Sequence, residues 1–206
     1  PEIIFHKHTL VDDMDGARGV LAADVNSDGD KDILVVSSQN SKFRWFENDL
    51  YVGAGGNISF AGHEVVNART PYDPWSVHAA DLDGDGDVDL LLSYGLANSD
   101  SFITWYENDN SAVAKKRNVT EHTGTPFTDS SKEHTIEESY TAKETVMVHG
   151  IDVDGDGEPD ALAAVAGDNK VVVYTGDWTD PLTTTTPITI SDSDVRQPKS
   201  VFPADV

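Results

Sequence analysis

Three nine-residue stretches place an oxygen-bearing side chain at every second position. They are Asp24-Val25-Asn26-Ser27-Asp28-Gly29-Asp30-Lys31-Asp32, Asp81-Leu82-Asp83-Gly84-Asp85-Gly86-Asp87-Val88-Asp89 and Asp152-Val153-Asp154-Gly155-Asp156-Gly157-Glu158-Pro159-Asp160. Such spacing can build an oxygen cage for a hard cation. Ca²⁺ takes six to eight oxygens at about 2.3–2.6 Å in a flexible geometry, whereas Mg²⁺ demands a strict octahedron and keeps its waters. Side chains at loop positions 1, 3 and 5 converge if the chain turns sharply before position 7. Those positions are Asp24, Asn26 and Asp28, then Asp81, Asp83 and Asp85, then Asp152, Asp154 and Asp156. Gly29, Gly86 and Gly157 at position 6 permit the turn, because glycine accepts positive φ at little cost. Position 7 (Asp30, Asp87, Glu158) then offers its backbone carbonyl, and position 9 (Asp32, Asp89, Asp160) closes the cage with its carboxylate. One such loop could be a plain acidic turn, since Asp and Gly are ordinary turn residues. Three in one register favour three Ca²⁺ sites, structural rather than catalytic.

Apolar sequence follows each loop at once: Ile33-Leu34-Val35-Val36, Leu90-Leu91-Leu92 and Ala161-Leu162-Ala163-Ala164-Val165. The first five ligand positions follow the EF-hand order, but the closing acid comes earlier and short buried strands replace the EF-hand helices. A strand precedes each loop, within Gly19–Ala23, Ser76–Ala80 and Val146–Ile151, and again at Ser200–Ala204 before Asp205. A third strand follows at Phe43–Asp49, Ile103–Asp109 and Val171–Asp177, and a fourth at Phe60–Val66, His134–Ile136 and Pro187–Ile190. Ile3 to Val11 matches the fourth kind. Units of four strands therefore run over 19–66, 75–136 and 146–190, with a further one starting at 199–206. First-Asp spacings are 57, 71 and 53 residues. Four-stranded units at this period predict an all-β propeller of four-stranded antiparallel blades. The long middle spacing is assigned to a polar surface insertion around Ser111 to Lys132.

The run Ala23-Asp24-Val25-Asn26-Ser27-Asp28-Gly29-Asp30-Lys31-Asp32-Ile33-Leu34, followed by Trp45-Phe46-Glu47-Asn48, resembles the FG-GAP/VCBS repeat. The likeness extends over nearly the whole chain. It implies a calcium-bearing propeller of seven or a similar number of blades, as in integrin α-chain heads and several fungal and bacterial lectins. Two departures stand out. Asn26 takes the place of an Asp at position 3, which keeps an oxygen but drops a charge and predicts a weaker site. Val173-Tyr174-Thr175-Gly176 stands where the earlier units carry Trp-Phe-Glu-Asn or Trp-Tyr-Glu-Asn. About three and a half blades are present, so part of a longer propeller or larger assembly is expected.

The formal charge is −23, and the three loops hold four, five and five of the 37 acidic residues. Without metal each loop repels itself, so folding should depend on Ca²⁺. No basic stripe exists to meet phosphates, which argues against nucleic acid. The absence of cysteine excludes disulfides and thiolate chemistry. No apolar run is long enough to span a membrane. Calcium loops of modest affinity fill where free Ca²⁺ is high, which predicts an extracellular or cell-surface location. Asn57-Ile58-Ser59 and Asn118-Val119-Thr120 are N-glycosylation sequons consistent with it.

Other residues offer chemistry less directly. His8, His63 and His134 recur at matching places, as do His78 and His149, which suggests packing roles. Trp45-Phe46 and Trp105-Tyr106 could stack on sugars, but packing between neighbouring units is the preferred reading. Trp75, in the turn Pro71-Tyr72-Asp73-Pro74-Trp75, is the best single candidate for a ligand contact. Asp177 and Asp180 flank Trp178 in a similar turn. The leading expectation is a non-catalytic module that binds a protein or glycan at a propeller face. The alternative is a lyase-type polysaccharide enzyme, for which Arg69 and Arg196 are the candidate uronate-neutralising residues.

Overall fold

The computed structural model describes residues 7–48, 59–65, 73–95, 101–108, 127, 132–139, 145–175, 178, 187–191 and 195–204. Asn57, Asn118, Arg69, Asp177, Asp180 and nearly all of the 111–132 insertion lie outside them. Among the described residues there is no α-helix, and none long and apolar enough to cross a membrane.

Among the described residues, twelve strands form three four-stranded antiparallel sheets, each a simple meander. The first contains β1 (Ala17–Ala23), β2 (Asp32–Ser37), β3 (Lys42–Asn48) and β4 (Phe60–Glu64). The second contains β5 (Asp73–Ala80), β6 (Asp89–Gly95), β7 (Ser101–Tyr106) and β8 (Glu133–Ser139). The third contains β9 (Thr145–Ile151), β10 (Asp160–Val165), β11 (Lys170–Tyr174) and β12 (Pro187–Ser191). Each acidic loop joins the first and second strands of its sheet, and position 9 is the first residue of the second strand.

Two hydrophobic layers hold the sheets together. Side chains alternate across a strand, so a sheet covered on both faces can feed two cores. The middle sheet does this. Leu90, Leu92, Tyr94, Phe102 and Tyr106 join Leu34, Val36, Phe43 and Trp45 of the first sheet. Leu91, Ile103 and Trp105 join Ala161, Ala163, Val165, Val172 and Tyr174 of the third. The unbroken run Leu90-Leu91-Leu92 is apolar because both of its faces are buried. Phe127, inside the insertion expected to be a polar surface loop, is buried in the first layer.

The first strands pack closely side by side. A Cβ on Gly19 would lie 2.8 Å from Val36 Cγ2 and 3.3 Å from Val77 N, and one on Gly150 would lie 2.9 Å from Ala80 Cβ. The second residue of the first two loops is also used in packing. Val25 is 0 % exposed and Leu82 1 %, in the first and second layers respectively, while Val153 is 48 % exposed.

Two expected strands do not form over their described residues. Lys7–Val11 and Ser200–Ala204 carry no strand, because none of the described residues supplies a ladder for their backbone groups. Phe202 nonetheless lies 5.2 Å from the His149 ring, at the loop-relative place that His149 occupies against His78 at 4.5 Å.

Candidate metal centre

The three loops share one backbone fold. Position 6 has φ of 98°, 95° and 98° at Gly29, Gly86 and Gly157. No atom lies near where a Cβ would stand, so the demand for glycine there is conformational. Position 4 is left-handed as well: Ser27 at 59°, Gly84 at 74° and Gly155 at 83°. In every loop the position-1 carboxylate accepts the position-6 N–H, at 3.0 Å for Asp24, 3.1 Å for Asp81 and 3.0 Å for Asp152. The position-3 side chain accepts the position-5 N–H at 3.2 Å each time. The position-5 carboxylate accepts the position-7 N–H at 2.8, 2.9 and 2.8 Å. These short local bonds fold each loop back on itself, and in the third they bring positions 1, 3 and 5 together.

Carboxylate oxygens of Asp81, Asp83 and Asp89 lie within 4.8 Å of one another, and so do those of Asp152, Asp154 and Asp156. The first loop has Asn26 in place of a third acid. Its amide nitrogen donates to Asp28 Oδ2 at 3.0 Å and to Glu47 Oε1 at 3.1 Å. The corresponding Asp83 faces Glu107 as a like charge, so Asn26 turns a repulsion into a hydrogen bond.

Position 9 is the lock. Asp32, Asp89 and Asp160 are buried, and each takes the position-2 N–H: Val25 at 3.0 Å, Leu82 at 2.9 Å, Val153 at 2.8 Å. The other oxygen of Asp32 accepts Asn48 N–H at 2.8 Å, and that of Asp89 accepts Asn108 N–H at 2.7 Å. Burial pushes Asp32, Asp83 and Asp160 above the usual carboxylate range and Asp89 up to about 7. A cluster this desolvated stores unfavourable charge that a divalent cation would neutralise.

The donor set fits a hard cation. It is all oxygen, and Asp81 Oδ1 is buried with no hydrogen-bond partner among the described residues, while its other oxygen is taken by Gly86. Asp81, Asp83 and Asp89 would hold an ion in the second loop, and Asp152, Asp154 and Asp156 in the third. Among the described residues, Asp85 and Asp87 of the second loop and Glu158 and Asp160 of the third lie outside these two carboxylate clusters.

The Glu-Asn pairs Glu47-Asn48 and Glu107-Asn108 acquire a role that residue types alone did not reveal. Besides gripping position 9, Asn48 donates its amide to Lys31 O at 3.0 Å and Asn108 to Val88 O at 2.9 Å, the position-8 carbonyl in each case. In the third sheet the indole N–H of Trp178 donates to Pro159 O, again position 8. Glu47 accepts from His63 at 2.9 Å, and Glu107 from Lys132 and, at 3.4 Å, from His134. Both histidines stack on their cross-strand tryptophans, His63 on Trp45 at 4.6 Å and His134 on Trp105 at 4.5 Å. Trp45 and Trp105 are thus buried packing groups.

Trp75 sits near the start of β5, at the end of the sheet away from the loops. It is half-buried, with the Arg18 guanidinium 4.2 Å above its ring and Arg18 Nε donating to Ser38 at 2.7 Å. Arg196 is exposed.

No curated protein matches the chain in sequence. A family model described as FG-GAP-like repeat matches residues 24–92, from the first residue of the first acidic loop through the second loop into β6. The chain therefore carries FG-GAP-like repeat sequence over residues 24–92, the family its acidic loops resemble.

Proposed function

We propose that this chain is part of a calcium-stabilised β-propeller whose role is to bind or scaffold, at an extracellular location, with a protein or glycan as ligand. The reading rests on one observation above all: three loops repeat the same hydrogen-bonded turn, and two of them gather three carboxylates within 4.8 Å. Bound Ca²⁺ would neutralise these carboxylates and tie the first and second strands of each sheet together. The protein supplies the rest: Gly29, Gly86 and Gly157 shape the turn, and Asp32, Asp89 and Asp160 anchor it to the second strand. The three sheets stand as successive blades, which the FG-GAP-like match supports. The ligand belongs at the end of the blades remote from the loops, where Trp75 and Arg18 stack.

Thermal unfolding across a Ca²⁺ titration, with EDTA as control, tests this. The melting temperature should climb with Ca²⁺, with three ions bound per chain. A melting temperature indifferent to both Ca²⁺ and EDTA overturns the metal role and, with it, the inferred compartment.

A further inference from the structure

We propose that Asn108 couples the first two loops, so that a cation held by one raises the affinity of the other, while the third loop fills independently. This rests on the calcium reading above. A continuous chain of hydrogen bonds joins the two position-9 carboxylates. Asp32 Oδ2 accepts Val25 N–H at 3.0 Å. Val25 O accepts an amide hydrogen of Asn108 at 2.9 Å, across 83 residues of sequence. Asn108 N–H donates to Asp89 Oδ1 at 2.7 Å, and Asp89 Oδ2 accepts Leu82 N–H at 2.9 Å.

Each link is held in one arrangement. Asn108 is 1 % exposed, and its side-chain nitrogen donates to both Val25 O and Val88 O. Val25 lies between Asp24 and Asn26, two ligand candidates of the first loop, so moving its carbonyl moves both. Asp89 is itself a candidate in the second loop. An ion that fixes Asp89 fixes the Asn108 backbone, and through the carboxamide it fixes the turn of the first loop. The loop that is already ordered costs its ion less to fill, which is positive coupling.

Among the described residues, no side chain bridges the second and third loops in this way. The position-8 carbonyl of the third loop is capped by the Trp178 indole, which has a single N–H and spends it on Pro159 O. A carboxamide has two hydrogens to share between two loops; an indole has one.

The test uses the full chain and CaCl₂ alone as probe, read through the NMR amide signals of Gly29, Gly86 and Gly157, one per loop. Asp83→Ala should raise the Ca²⁺ midpoint of Gly29 by at least about fivefold, the low end of ordinary coupling between sites. Asp156→Ala should move that midpoint by less than roughly twofold, below the same range. In an Asn108→Ala background the effect of Asp83→Ala on Gly29 should vanish. A Gly29 midpoint unmoved by Asp83→Ala, or moved equally by Asp156→Ala, overturns the coupling while leaving calcium binding intact. Silence of all three glycines overturns the calcium reading and the coupling with it. Should Asn108→Ala fail to fold, the comparison of Asp83→Ala with Asp156→Ala still decides.

Discussion

His78 Nδ1 accepts the backbone N–H of Gly150 at 3.1 Å, tying β5 to β9 across the boundary between two sheets. That bond requires an unprotonated Nδ1. Burial, and then the neighbouring His149 ring, push His78 down to about 4, and burial lowers His149 as well. A histidine held neutral by folding adds stability above its unfolded pKa near 6.5, and that stability is lost as pH falls from there through about 4. The loss should be about 1–2 kcal/mol, since partial solvent contact screens the effect. Urea unfolding of wild type and His78→Leu between pH 7 and 4 checks it: the wild type should lose more stability over that window. Parallel curves would remove His78 from the pH response.

Asp83 and Asp87 carry like charge but are assigned different duties. Asp83 belongs to the three-carboxylate cluster of the second loop, whereas Asp87, at position 7, lies outside it and is expected to offer its carbonyl. Asp83→Ala should abolish one bound Ca²⁺ and cost a few kcal/mol, as loss of a metal does. Asp87→Ala should keep all three ions. Ion counting by calorimetry on both variants distinguishes them, and equal losses would mean that the ligand positions are misassigned.

Ser27 holds a left-handed backbone at φ 59°, where the other two loops have Gly84 and Gly155. Its side chain is exposed, so the strain is local. Ser27→Gly should raise stability by about 0.5–1 kcal/mol, the relief of left-handed strain less the added entropy of unfolded glycine. A chemical melt in EDTA measures it without interference from ion binding. No change, or a loss, would show that the serine conformation is unstrained.

Gly150 is needed for room rather than for dihedral freedom. A Cβ there would meet Ala80 Cβ at 2.9 Å and Leu82 Cδ2 at 3.3 Å. Gly150→Ala should therefore cost about 1–3 kcal/mol by forcing the second and third sheets apart. Hydrogen exchange should show the loss in β5 and β9, with β1 to β4 spared. Uniform loosening would argue against a local wedge.

Most of the architecture was readable because its signals are local. Ile33–Val36 and Leu90–Leu92 follow their loops directly, and alternation marks the third strands. The acidic loops were readable because their oxygen-bearing residues fall within nine positions. What stayed hidden depends on distance. Asn108 looks like an ordinary turn residue until Val25, from another sheet, arrives beside it. Phe127 is one aromatic in a polar stretch, and only the first hydrophobic layer explains it. Lys7–Val11 and Ser200–Ala204, in stretches expected to be strands, had suitable residue types, but strand formation also needs a neighbour to pair with. Trp178 shows the converse: an unlike residue, reached from a different sequence position, caps the same carbonyl as Asn48 and Asn108.

Val25 and Leu82 belong to the acidic turns, yet each is embedded in the layer shared with the sheet that follows. The arrangement is directional. If the first turn springs open, it drags a plug out of the next sheet's foundation, and the second turn can do the same to the third. Val153, at the corresponding place, is embedded in neither layer. Failure should thus travel down the chain like a run in knitted fabric, and the third turn can open without starting one.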